Sequence, residues 1–389
     1  MKKGWEWKRL GEVCEIVNGG TPKTSVAEYW GGKHLWITPA EMGKRESPYA
    51  DDTERKLTET GLRDSSARML PPYSVILSSR APIGHLVINT QPMSTNQGCK
   101  SLIPSGQLEH KFLYYYLSSI VGLLDSLGTG ATFKELSGGK LKEVEIPLPP
   151  LPEQRRIVGV LDEAFAGLAR AQANAARNLQ NARALFESHL QAVFSQRGKG
   201  WVEKRLGEVG KVSMCKRIFK EETTAKGEIP FYKIGTFGKE PDAYIPNQTY
   251  NEYRAKYPFP NKGDILISAS GTIGRRVRYD GEPAYFQDSN IVWIANDETQ
   301  VINDYLYHFY GACEWNSTKG ATISRLYNDN LRQIVITFPT VLPEQRRIAT
   351  QLDALSAETQ RLAGVYERQL AALGELKQAL LHRAFAGEL

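Results

Sequence analysis

Two short stretches of this 389-residue chain combine hydroxyls, glycines and arginine within one turn. They are Ser78-Ser79-Arg80-Ala81-Pro82-Ile83-Gly84 and Ser268-Ala269-Ser270-Gly271-Thr272-Ile273-Gly274, the second followed directly by Arg275 and Arg276. Hydroxyls and turn N–H groups suit phosphate oxygens, and Arg pairs bidentately with guanine. Thr95-Asn96-Gln97 and Gln287-Asp288-Ser289-Asn290 offer amides that match adenine edges. Lys23, Lys44, Arg45, Lys134, Lys216, Arg217 and Arg325 add cations for phosphate contact, and Thr132 and Thr322 end matched Gly-Ala-Thr stretches. The candidate groove-facing set is therefore those cations with Ser79, Arg80, Asn96, Gln97, Thr132, Ser270, Thr272, Arg275, Arg276, Gln287, Ser289, Asn290 and Thr322. Taken singly, each lysine among them has an ordinary solvated role as its alternative.

Catalytic patterns do not emerge beside this set. The chain has no GxGxxG opening a helix, no Walker loop, no HExxH and no GxSxG. Its six His residues are scattered, without partners at metal-ligand or triad spacing. Pro241-Asp242 lacks the downstream Glu-x-Lys of a metal-dependent nuclease, and no Asn/Asp-Pro-Pro-Tyr/Phe segment is present to hold a flipped base. No catalytic residue and no metal ligand is nominated. Cys14, Cys99, Cys215 and Cys313 lie far apart, as reduced thiols of a cytoplasmic protein would. No apolar run approaches the roughly 20 residues of a membrane span. The net charge of +6 is modest, with +2 on residues 1–150 and +3 on residues 197–342.

Positioning these groups falls to a repeated frame. Leu151-Pro152-Glu153-Gln154-Arg155-Arg156 returns 191 residues later as Leu342-Pro343-Glu344-Gln345-Arg346-Arg347. Pro at the first helical position and Glu in the first turn both favour a helix start. Behind each phrase mostly apolar residues step by four and three: Ile157, Leu161, Ala164, Leu168, Ala171, Ala175, Leu179, Ala182, Phe186, Leu190, Val193, and Ile348, Leu352, Leu355, Thr359, Leu362, Tyr366, Leu370, Leu373, with Leu380 a full heptad further on. Two successive four-steps end at Leu179 and at Leu370, so both seams stutter at the same point, as two helices built to pair would.

The repeat extends into the rest of the chain. Trp5 leads to Lys8-Arg9-Leu10-Gly11-Glu12-Val13 as Trp201 leads to Lys204-Arg205-Leu206-Gly207-Glu208-Val209. Short β-branched runs such as Leu35–Ile37, Val75–Leu77, Leu86–Ile88, Ile265–Ile267 and Asn290–Ile294 predict strands, and Phe112–Leu117 and Tyr305–Tyr310 predict helices. Trp7 and Trp201 are expected as core anchors. The expected organisation is α+β: globular blocks at 1–150 and 197–342, and long spacer helices at 151–196 and 343–389.

These doubled helices, the doubled Lys-Arg-Leu-Gly-Glu-Val, and Gly19-Gly20-Thr21-Pro22 with Tyr29-Trp30-Gly31-Gly32 resemble the specificity subunit of type I restriction-modification enzymes over essentially the whole chain. The second block lacks both glycine phrases, carrying Ser213-Met214-Cys215-Lys216-Arg217 instead. The resemblance implies two target recognition domains, each addressing one half of a bipartite site in double-stranded DNA. It implies long helices that pair as an antiparallel coiled coil in a pseudo-twofold tandem repeat, set the gap between half-sites and dock methyltransferase subunits, expected to number two. Gln154, Arg155, Arg156, Gln345, Arg346 and Arg347 are the docking candidates, with plain exposure at a helix start as the alternative. It also implies that this chain binds no cofactor: S-adenosylmethionine and adenine methylation belong to the partners, and cleavage to a further restriction subunit whose presence the sequence does not disclose. Recognition domains vary too much in that family for any base-reading residue to be carried over. Two other classes remain: a self-sufficient methyltransferase or nuclease, or a helical scaffold with no affinity for DNA.

Overall fold

A computed structural model describes residues 4–130, 134–315, 318–319 and 324–389. Two compact units divide the chain: Met1–Ala175 with Arg368–Leu389, and Ala176–Glu367. Each unit holds one globular block, the start of the long helix that follows it, and the end of the other long helix.

The first block is built on a five-stranded sheet in the order Cys14–Asn18, Cys99–Pro104, Val75–Ser79, Ile83–Asn89, Tyr49–Ala50. A three-stranded sheet (Arg55–Leu57, Trp30–Ile37, Met93–Thr95) lies beside it in the chain's topology. The second block repeats four strands of the larger sheet in matching order: Lys211–Ser213, Ile291–Ala295, Ile265–Ser268, Arg276–Arg278. Its smaller sheet is Tyr244–Ile245, Ile229–Tyr232, Tyr285–Phe286. The predicted strands are present, and the two aromatic runs lie on helices His110–Ser119 and Asn303–Ala312.

The repeated Lys-Arg-Leu-Gly-Glu-Val phrase zips the two ends of each block together. Glu6–Arg9 pairs antiparallel with Glu145–Leu148, and Trp201–Arg205 with Val335–Pro339, immediately before the long helices. Glu12 and Glu208 then accept from the backbone N–H of Arg9 and Arg205, both at 2.7 Å, capping one short helical turn. Space inside that turn is tight: a Cβ on Gly11 would stand 3.0 Å from Lys142 Cβ, and on Gly207 3.2 Å from Arg332 Cβ, so a larger residue would make the neighbour give way. Trp7 corrects an expectation: it is 46 % exposed, whereas Trp5 is buried. Trp7 lies in the strand Glu6–Arg9, none of whose residues is buried, whereas Trp5 precedes that strand and joins the block's core. Trp201 is partly buried against the second block's core.

The long helices are Leu151–Phe194 and Leu342–Ala386. Each begins one residue before its proline, which leaves Pro152 and Pro343 in the first turn, where a missing N–H costs nothing. All eleven positions of the first seam are buried or half-buried, and so are all nine of the second. The second seam continues past Leu380 to Leu381, Ala384 and Phe385. The pairing is antiparallel: in the first unit Ile157 and Leu161 share a core with Leu381 and Phe385, and in the second Leu190 and Val193 share one with Ile348 and Leu352.

Each aromatic helix is held by both long helices of its unit. Phe385 packs edge-on against Phe112 and Tyr116, with ring centroids 5.1 and 5.2 Å away. Phe194, its match 191 residues earlier, packs the same way on Tyr305 and Phe309 at 5.1 and 5.6 Å. Gln154 and Gln345 overturn their assignment as docking residues, because both are fully buried. Gln154 Oε1 accepts from Glu109 N (2.8 Å), while its Nε2 donates to the carbonyls of Gln107 and Pro149 (2.9 and 2.8 Å). Gln345 does the same with Ile302 N (2.9 Å), Gln300 O and Pro339 O (2.8 and 2.7 Å). Each amide thus ties the start of a long helix to the chain entering the aromatic helix, satisfying backbone groups that burial would otherwise leave unpaired.

Candidate nucleic-acid interface

In the first unit the turn after Val75–Ser79 is shaped by the hydroxyl of Ser78, which donates to Pro82 O and accepts from His85 N, both at 2.8 Å. Ser79 N donates to Gly98 O (2.7 Å), and Leu136 N donates to Ser79 O (2.9 Å). Three separate segments are thereby laid side by side: the turn, the Asn96–Gly98 loop and the chain around Lys134–Leu136. Arg80 rises from the turn, partly exposed, with Nη1 3.9 Å from Glu135; the same carboxylate lies 3.3 Å from the buried Lys100 Nζ. Two cations thus share one anion, leaving local positive charge.

The glycine phrase packs under this edge. A Cβ on Gly19 would fall 1.9 Å from Asn96 O, and one on Gly20 2.3 Å from Ser66 C, so only glycine fits either place. Thr21 Oγ1 accepts from Asn96 Nδ2 (3.0 Å) and Gln97 N (3.3 Å), while Asn96 Oδ1 accepts from Gly98 N (2.8 Å). Asn96 is therefore occupied in shaping the loop, and the exposed Gln97 beside it is the amide left for a ligand. Lys23 is exposed one residue beyond the glycine phrase. Trp30, of the Tyr-Trp-Gly-Gly phrase, carries the Arg55 guanidinium 3.5 Å from its ring centroid.

The second unit repeats the arrangement with different side chains. Ser268 Oγ donates to Thr272 O (2.5 Å) and accepts from Arg275 N (2.9 Å), as Ser78 does in its own turn. Ala269 N donates to Asn290 O (2.7 Å) and Leu326 N to Ala269 O (2.8 Å), the counterparts of the bonds around Ser79. Arg325 stands where Glu135 stands in the first unit; its Nη2 donates to Ser289 O at 3.4 Å. Arg217 Nε lies 2.9 Å from Asp288, Lys216 Nζ lies over Tyr257, and Thr272 is exposed on the turn.

Several candidates do not join these edges. Ser79 is fully buried with its hydroxyl unpartnered, and Ser270 is buried with its hydroxyl on Asn290 Oδ1 (2.8 Å), so neither hydroxyl faces a groove. Gln287 Oε1 accepts from Ile234 N (3.0 Å), and Arg275 Nη1 donates to Phe237 O (2.9 Å), joining the turn to the smaller sheet. Lys44 and Arg45 are drawn to Glu54 and Glu41 at 3.5 and 2.8 Å; Lys134 belongs to the third segment of the first edge, but its ammonium is held by Asp125 at 2.6 Å. Arg276 lies on the strand face opposite Arg275. Its guanidinium stacks on Tyr307 (4.6 Å) so near helix Asn303–Ala312 that a Cβ on Gly311 would come within 2.4 Å of it. Thr132 and Thr322 lie outside the described residues. Lys100 and Arg55 were not singled out from the sequence: Lys100 sits in a strand whose first four residues are all buried, with no alternation to mark it, and Arg55 lies over the Trp30 ring, which is packed edge-on against Trp36.

The profile described as "Type I restriction modification DNA specificity domain" matches residues 2–175 and again 198–367. The chain belongs to that family. A Haemophilus influenzae protein described as a type I restriction enzyme specificity subunit, S.HindORF215P, is 39% identical over 358 residues, covering 91% of this chain and 88% of its own. The type I restriction enzyme MjaIX specificity subunit of Methanocaldococcus jannaschii is 28% identical over 419 residues, covering 100% of this chain and 94% of its own. In fold, the chain resembles the crystal structure of an HsdS subunit from Thermoanaerobacter tengcongensis, with TM-score 0.63 and 21% identity over 100% of this chain and 98% of that one. A chain solved for complex assembly and conformational transition of the type I R-M system gives TM-score 0.80, also at 21% identity, over 100% and 99%. This is a DNA sequence-specificity subunit. Among the described residues no three His, Cys, Asp or Glu side chains gather as metal ligands, and no helix is long and apolar enough to cross a membrane.

Behind the second block's edge, a cleft of about 500 Å³ is lined by Arg276, Arg278, Tyr307, His308 and Asp353. His308 is 1 % exposed, with Nε2 2.9 Å from Asp353 Oδ1. A carboxylate only accepts, so the imidazole proton sits on Nε2. Burial pushes the His308 pKa below its usual value and outweighs the opposing pull of Asp353, with Arg276 and Arg278 adding to the depression. The neutral ring therefore stabilises the fold fully above about pH 6.5, the unfolded value, and that contribution is lost as pH falls below it through the folded pKa. The midpoint of thermal unfolding should fall more steeply between pH 7.5 and pH 5 in the wild type than in His308→Gln, whose amide can still donate to Asp353. Parallel slopes in calorimetry would show that His308 titrates alike folded and unfolded.

Proposed function

We propose that each block addresses one half of a bipartite DNA site, and that the antiparallel helices fix the gap and present the docking surface for methyltransferase subunits. The observation that carries this reading is the doubling of one constellation. The same shaped turn, the same three-segment hydrogen bonding and the same aromatic helix recur in both units, while the side chains on the edge differ. One scaffold with two sets of readers suits two different half-sites. The readers best supported are Lys23, Arg80, Gln97, Lys216, Arg217, Thr272 and Arg325, with phosphate contacts dominating affinity. On this reading the chain performs no chemistry itself, and S-adenosylmethionine belongs to the methyltransferase partners, two of which suit the doubled frame. Selection from random duplexes by the chain assembled with those subunits should return two fixed segments separated by a constant gap. One uninterrupted motif would sink the reading.

For docking, Arg155 and Arg346 are exposed at matched helix starts, whereas Arg156 and Arg347 are engaged by Glu153 and Glu344 at 2.7 and 2.6 Å. Charge reversal of the exposed pair should weaken subunit association roughly tenfold to a hundredfold, the worth of one or two charge-assisted hydrogen bonds, and leave the selected sequence unchanged. Sedimentation with and without Arg155→Glu and Arg346→Glu measures it; unchanged association would move docking elsewhere on the helices.

A further inference from the structure

The repeated helix phrase carries a second polar residue that the docking and recognition roles do not use. Asp162 and Asp353 are 191 residues apart, each directly after a buried seam leucine, Leu161 and Leu352. In the first unit Asp162 accepts from Tyr115 OH and lies 2.7 Å from Lys111 Nζ, both on the aromatic helix. In the second, Asp353 accepts from His308 Nε2 on the matching helix. Tyr115 and His308 occupy equivalent places, since Gln154 and Gln345 clamp the backbone N–H of Glu109 and Ile302 at the same distance before them. The carboxylate is retained while its donor changes.

Geometry gives this second bond a purpose. Apolar contacts such as Phe385 on Phe112 and Phe194 on Tyr305 hold the helices together without being directional, and the glutamine clamp is a directional polar anchor at one point only. The aspartate lies eight residues further on, roughly 12 Å along the axis, and two anchors that far apart fix direction as well as position. Leverage makes direction matter. A tilt of about 3° at the start of a helix of roughly 66 Å moves its far end by about 3.5 Å, close to the ~3.4 Å rise of one base pair.

We propose that Asp162 and Asp353 are positioning residues that make the gap between half-sites sharp, by fixing the angle at which each recognition block sits on its own helix. This rests on the bipartite reading above, and it assigns gap tolerance to residues that touch no DNA. Loss of either carboxylate widens the range of accepted gaps and leaves both half-site sequences alone.

The test uses the full chain assembled with its methyltransferase subunits and duplexes that keep both half-sites while varying the gap by up to three base pairs either way. The wild type should hold to one gap. Asp162→Ala and Asp353→Ala should raise relative binding to gaps one base pair longer or shorter at least tenfold. Asp353→Asn, which keeps the volume and an acceptor for His308, should restore the narrow profile, an outcome that simple loss of stability would not give. Should an alanine variant fail to assemble, His308→Phe removes the donor while keeping a ring in place, and the same broadening is expected. A profile as narrow as the wild type's in the assembled variants overturns the proposal. A wild-type complex indifferent to the gap would instead overturn the bipartite reading.

Discussion

Exchange of residues 1–150 for the corresponding block of a relative should rewrite one half of the recognised sequence and leave the other intact. The physical basis is that each block owns its proposed reading edge. Arg80, Gln97 and Lys23 are positioned by hydrogen bonds within the first block, and Thr272, Arg217 and Arg325 by hydrogen bonds within the second. The graft replaces Lys111 and Tyr115, the partners of Asp162, but Gln154 meets only backbone groups (Glu109 N, Gln107 O and Pro149 O), which a relative's block can supply in the same place. A mismatched base pair costs about 1–3 kcal/mol, so a block that reads three base pairs should shift preference for its half-site by at least a hundredfold. Selection from random duplexes before and after the exchange measures the shift. Changes in both halves would mean that the blocks do not read independently.

How far such behaviour was legible from sequence depends on how local its cause is. The seams of the long helices follow from periodicity alone, and each seam position is buried or half-buried. Phe385 escaped that reading because its burial comes from Phe112 and Tyr116, far away in sequence. The same reason explains Gln154 and Gln345. An amide at a helix start looks solvent-facing until the chain some 45 residues earlier is known to lie against it. The proposed reading edge was half legible. Types of residue marked the turns correctly, but the hydroxyls of Ser78 and Ser268 serve to close those turns, and the amide of Asn96 to shape its loop. Polar side chains suited to bases are equally suited to backbone, and sequence alone does not choose between them. Arg276 could have been placed better. Strand alternation sets it and Arg278 on the face away from Arg275, and both stack on Tyr307.

Lengthening the paired helices should change the gap of the recognised site. Four residues inserted after Leu179 and four after Leu370 fall at the matched stutters and add about 6 Å to each helix, close to two base pairs of rise. The insertions spare the contacts that seat each helix pair. In the first unit Lys377 lies over the Phe165 ring at 5.4 Å, and in the second Arg183 meets Glu367 at 2.7 Å. Both insertion points fall between those residues along the chain, after 165 and before 183 in one helix and after 367 and before 377 in the other, so neither contact is broken within its unit. Four residues also add another four-step to each seam, a step that each seam already contains in succession at Leu179 and at Leu370. DNA twists as it rises, so a block displaced by two base pairs must find its groove rotated by roughly a fifth of a turn at 10–10.5 base pairs per turn. Two results are therefore consistent with a rigid ruler: a gap longer by one or two base pairs, or loss of specific binding. The half-site sequences should not change in the first case, because no reading side chain has moved within its block. Full affinity for the original gap would show that something more compliant than the helices sets the spacing.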